Sequence, residues 1–72
     1  MSGVTYTIFA EPAAGAESWG AWIPELDVYV TACSRDEALD DAAVAARENL
    51  ELREQLGHPL PAPVSTARTL TV

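Results

Sequence analysis

Lysine is absent, and four arginines face eleven acidic residues, for a formal net charge of −7 over 72 residues. Such a chain repels the phosphate backbone that nucleic-acid binders must neutralise, so direct DNA or RNA binding is not expected. Its field instead steers it towards basic protein surfaces. Cysteine occurs once, at Cys33. No internal disulfide framework can therefore reinforce so small a chain, and a reducing cytoplasm is the expected compartment. No apolar run approaches bilayer length, and the first residues lack the charged, greasy, then small-residue order of a signal peptide, so no membrane association is expected.

What is there reads as an ordinary globular composition, 49% hydrophobic and 21% charged, in a length that suits a single domain over residues 1–72. A first strand is expected over residues 2–10. Within it Val4, Tyr6, Ile8 and Ala10 alternate with Thr5, Thr7 and Phe9. Residues 11–18, rich in Ala, Gly, Pro and Glu, follow neither period and suit a loop. A second strand over 19–23 should stop at Pro24, which has no N–H to give a central ladder. After a short turn, Val28, Val30 and Ala32 alternate with Tyr29 and Thr31 in a third strand over 28–32.

Ser34 and Glu37 form a capping box, with Asp36 adding favourable charge in the first turn, and they open a helix expected over 35–56. Its apolar positions Leu39, Ala42, Ala43, Ala46 and Leu50 recur at helical spacing, and Gly57 suits its C-terminal end. Pro59, Pro61 and Pro63 then forbid helix and make an extended connector. Residues 66–71 have the composition of a last strand, with a frayed terminus as the competing reading. Counting directions, a meander followed by a crossover helix returns this fourth strand parallel to the third and beside the first. The expected fold class is α+β, a β-β-β-α-β chain with a mixed four-stranded sheet of order 3-2-1-4 and one helix on one face. Its other face is left open unless a second chain covers it.

Several segments together resemble the HicB antitoxin family. They are the opening strand at Tyr6 to Ala10, the "WIPEL" run at Trp22 to Leu26, and "VTACSRDEALDDAAVAARENLEL" at Val30 to Leu52. The helix start from Ser34 to Ala38 is the closest match, and Gly57 with the following prolines repeats a frequent family exit. The resemblance spans roughly Tyr6 to Val64. Asp27-Val28 stands where that family usually has a Gly-Cys pair, and Ala32-Cys33 where it has a glycine before the helix cap. Many relatives carry a further helix-turn-helix or ribbon-helix-helix module for operator DNA. No such segment follows here, so operator binding is expected to be absent or delegated.

The resemblance implies a partial ribonuclease-H-like fold and a partner, a small basic HicA-type toxin that cleaves mRNA. Blocking the toxin's RNA site, rather than catalysis, would be the activity: an acidic rim mimics or displaces RNA phosphates while an apolar patch excludes water. The rival reading is a stand-alone oligomeric structural or regulatory protein of the same fold without a toxin partner. A metal-dependent nuclease is the third. It would need converging carboxylates, one of them normally from the middle of the first strand, where this chain has only Thr, Tyr, Ile and Phe. No enzyme activity, cofactor or resident metal is expected. The acidic helix residues Asp36, Glu37, Asp40 and Asp41 read as a solvated face.

Cys33 and His58 flank a helix about 33 Å long at 1.5 Å per residue, too far apart to pair as nucleophile and base. Cys33 is expected to be buried by packing, and His58 to meet the last helical carbonyls. Alternation sends Trp19 and Trp22 to opposite sheet faces, one under the helix and the other open to a homodimer or toxin contact. Tyr29 shares the outer face. The candidate partner interface is therefore Trp22 and Tyr29 together with Glu48 and Glu51 on the helix, in a protein expected to form a homo-oligomer, a dimer or a tetramer.

Overall fold

A computed structural model describes residues 4–13 and 17–71. Three antiparallel strands, β1 (Phe9–Pro12), β2 (Trp19–Ile23) and β3 (Val28–Ala32), form a sheet of order β1-β2-β3. A short 3-10 turn at Pro24–Leu26 joins β2 to β3, and the helix α1 (Arg35–Gln55) packs on one sheet face.

The expected four-stranded mixed sheet of order 3-2-1-4 is corrected to this wholly antiparallel three-stranded one. Among the described residues no strand follows α1. The proline connector does return beside the first strand's approach, but side chains hold it there. The Tyr6 hydroxyl donates to Pro61 O at 2.6 Å and the Thr7 hydroxyl to Ser65 O at 3.2 Å. Prolines at every second position from 59 to 63 remove the N–H groups a ladder would need. Val64 and Leu70 remain exposed, so no apolar burial favours pairing of residues 66–71.

The first strand also differs from the expected 2–10, of which residues 2 and 3 lie outside the described residues. Pairing begins at Phe9 and continues through Glu11 and Pro12, residues assigned to the loop by composition. The cause lies on the neighbouring strand. Ala13 N–H donates to Ser18 O at 2.9 Å, one step beyond the Pro12↔Trp19 pairing. Hydrogen-bonded pairs in an antiparallel ladder recur at every second residue. Glu11↔Gly20 and Phe9↔Trp22 are then bonded pairs, and the next would match Thr7 with Pro24, which has no N–H. The ladder stops there, and the hydroxyls of Tyr6 and Thr7 take the C-terminal segment instead.

The turn after β2 is anchored rather than loose. Pro24 opens it, Leu26 is buried beneath it, and Asp27 closes it at φ 54 with its N–H donating to Pro24 O. Asp tolerates this left-handed conformation better than most side chains. Asn49 on α1 donates to Leu26 O, and Arg53 Nε donates to Asn49 Oδ1, tying the helix to the turn.

Ser34 caps α1 by accepting from Glu37 N–H at 3.2 Å. At the other end Gly57, at φ 72, donates to Glu54 O while His58 N–H donates to Arg53 O, the paired bonds of a Schellman motif. His58 thus meets the last carbonyls through its backbone. The helix buries Ala38, Ala42 and Ala46, spaced four apart, and leaves Leu39, which opened the expected stripe, only half-buried. Ala38 and Ala42 meet Ala21 with Trp19, Ala10 and Val30 around them, while Ala46 meets Ile23, Leu26 and Val28. Small side chains bring the helix close to the sheet, and packing rather than charge holds it there, since no polar side chain is buried among the described residues.

Candidate functional site

The strands that face α1 with Ala10, Ala21 and Val30 turn their alternate residues outward. Register then lines up Phe9, Trp22 and Tyr29 in one row across all three strands, on the sheet face opposite the helix. The Phe9 and Trp22 rings stack with centroids 5.8 Å apart and planes 24° apart. Tyr29 is 64% exposed. The next row, Glu11, Gly20 and Thr31, adds an acid at the edge and a position without a side chain. The Tyr29 ring fills that space, leaning over Gly20.

Of the residues proposed from sequence, Trp22 and Tyr29 therefore meet on one open surface, and Trp19 lies on the helix side against the alanine cluster. Glu48 and Glu51 are exposed on α1, which covers the other face, so the four do not form a single patch. Phe9 belongs to the row although sequence reasoning left it out. Alternation put it with Thr5 and Thr7 on one side of the first strand, but only register puts it beside Trp22 on the face away from the helix. Cys33, expected to be buried, is exposed just past β3, where the chain leaves the sheet before the cap.

Electrostatically the turn matters more than the helix. The Glu25 carboxylate accepts from Val64 N–H at 2.9 Å, Ser65 N–H at 3.1 Å and the Ser65 hydroxyl at 2.9 Å. Ser65's backbone N–H is the main cause that holds the Glu25 carboxyl below its ordinary range; the Ser65 hydroxyl and Val64 N–H add to it, against some desolvation. No local pattern marks Glu25 for this task, because its partners lie 39 and 40 residues away.

Among the described residues there is no pocket, no group of three or more His, Cys, Asp or Glu placed to hold a metal, and no helix long and apolar enough to cross a membrane. What the arrangement offers is the partly exposed aromatic row of Phe9, Trp22 and Tyr29. No family model, curated protein or solved structure matches the chain.

Proposed function

We propose that the chain is a non-catalytic binding protein that neutralises a small basic ribonuclease of the HicA type by covering its RNA site. The observation that carries this reading is the Phe9, Trp22 and Tyr29 row, open on a sheet whose other face is sealed by the helix. Aromatic residues are the usual anchors of protein interfaces. The charge of −7 supplies the attraction that a basic toxin surface needs and repels the RNA it would displace. The resemblance of Trp22 to Leu26 and of Val30 to Leu52 to HicB sequences names the partner class. The compartment is the cytoplasm, where an exposed lone thiol such as Cys33 stays reduced.

In mechanism, the aromatic row excludes water at the centre of the contact, while Glu11 at its rim occupies positions that phosphates would take. No proton moves and no bond breaks. The test is a titration of the chain into the product of the neighbouring small basic reading frame, recording binding and RNA cleavage together. Tight binding with loss of cleavage is expected. Absence of binding overturns the reading in favour of an oligomeric structural or regulatory role.

A further inference from the structure

The edge of β3 away from β2 has no partner strand among the described residues. The same register that ends β1 also assigns the backbone of β3. With Gly20 and Trp22 bonded to β1, the N–H and C=O groups of Trp19, Ala21 and Ile23 point the other way, towards Ala32, Val30 and Val28. Tyr29 and Thr31 are left with their N–H and C=O groups directed away from the sheet. Among the described residues no backbone or side-chain hydrogen bond reaches them.

Exposed edges are usually blunted by lysine, proline, a bulge or a covering segment. The sequence of β3, VYVTA, has no charge and no proline, and it pairs without a bulge. The C-terminal segment meets the chain ahead of β1, at Tyr6 and Thr7. β1, the other edge strand, carries Glu11 and Pro12, so of the two edges β3 is the one without a blunting residue.

We infer that two copies join antiparallel through β3 about a two-fold axis at Val30, making one continuous six-stranded sheet. This register matches Tyr29 of each copy with Thr31 of the other. Two such pairs form, each exchanging two N–H···O bonds, and both residues have their backbone groups already pointing outward. A shift by one residue would set bonded groups of one copy against the spent groups of the other. One opposite-charge pair is available at each end. Antiparallel pairing brings Asp27, just before each β3, towards Arg35 just past the end of the other, beside the acidic Asp36 and Glu37. Arg35 is exposed, and its contact with Asp36 is long at 3.5 Å, which leaves its guanidinium free to turn. Both aromatic rows lie on the same face of the joined sheet, so pairing leaves them open. This inference stands apart from the toxin reading, since it concerns the edge and not the face.

The test uses the full chain alone. Sedimentation over a wide concentration range should show a dimer of twice the 7.7 kDa chain, with the amides of Tyr29 and Thr31 protected from hydrogen exchange. Thr31→Pro removes an outward N–H and leaves the β2 ladder untouched, so it should be monomeric with unchanged helical circular dichroism. If that variant fails to fold, Arg35→Glu decides the matter. It turns attraction into repulsion at both ends and should weaken self-association roughly tenfold. A monomer at every concentration overturns the inference. So does a dimer whose Tyr29 and Thr31 amides exchange freely, or one that neither variant weakens.

Discussion

The Tyr29 ring lies over Gly20, so close that a β-carbon added to the glycine would stand 2.7 Å from the phenol oxygen and 3.2 Å from Cζ. The tyrosine comes from β3 and the glycine from β2, on a diagonal of the register, and the ring supplies the cover that Gly20 lacks. This is what sets the direction of the Tyr29 side chain on the open face. The obstacle to a side chain at position 20 is the far end of an exposed ring rather than backbone, so the ring can swing away.

Gly20→Ala therefore separates stability from recognition. Removing a strand glycine regains about 0.5–1 kcal/mol of backbone entropy, which offsets the lost contact with the ring. Thermal unfolding should change little. Binding to the partner should weaken, because Tyr29 no longer holds its place beside Trp22, and a calorimetric titration beside the melting curve checks both.

The helix and sheet meet through alanines, so the interface has no room. Ala42 is fully buried against Ala21 and Ala38. Ala42→Leu should destabilise by about 1–3 kcal/mol, from overpacking, read as a fall in the urea midpoint at constant slope. Val44 is half exposed, so Val44→Leu should stay within about 0.5 kcal/mol of the parent.

The segment after the helix is held by a carboxylate, which gives it a pH dependence. Glu25 has its carboxyl held below the ordinary 4.5 by Ser65's backbone N–H first. A lowered carboxyl contributes fully above the unfolded value, and the contribution fades as pH falls through the folded one. The Val64 and Ser65 amide resonances should accordingly shift in one step below pH 4.5, while helical circular dichroism persists. Glu25→Gln should abolish that step and leave residues 58–71 less protected from exchange at neutral pH.

Local signals were legible in the sequence and non-local ones were not. The Ser34 and Glu37 box fixes where α1 starts, and Pro24 fixes where β2 stops, because each acts within a few residues. The start of β1 depends on Pro24 through a register that no single segment contains. The fourth strand was expected from residue types in 66–71, but a ladder needs N–H groups along the connector, and the hydroxyls of Tyr6 and Thr7 and the carboxylate of Glu25 had already engaged its backbone. The aromatic face was half legible. Period two separates Trp22 from Trp19, while Phe9 enters only through pairing. Leu39 outranked Ala38 on hydrophobicity, yet close helix approach favours the smaller side chain.

The proposed partner surface can be divided by experiment because its four sequence-derived residues lie on two sides of the molecule. Trp22 and Tyr29 share the open sheet face, and Glu48 and Glu51 sit on the helix that covers the other. Truncating an aromatic anchor at the centre of an interface costs about 2 kcal/mol or more, about thirty-fold in affinity, mostly through faster dissociation. Trp22→Ala should behave this way, with Tyr29→Ser as the variant that leaves the Phe9 stack intact. A charge outside the contact acts by steering, so Glu51→Lys should slow association a few-fold at low salt, with dissociation unchanged and the effect vanishing as salt screens it. Surface-plasmon kinetics at two ionic strengths distinguish these outcomes. If Glu51→Lys speeds dissociation while Trp22→Ala does not, the toxin docks on the helix and the sheet face is free for another use.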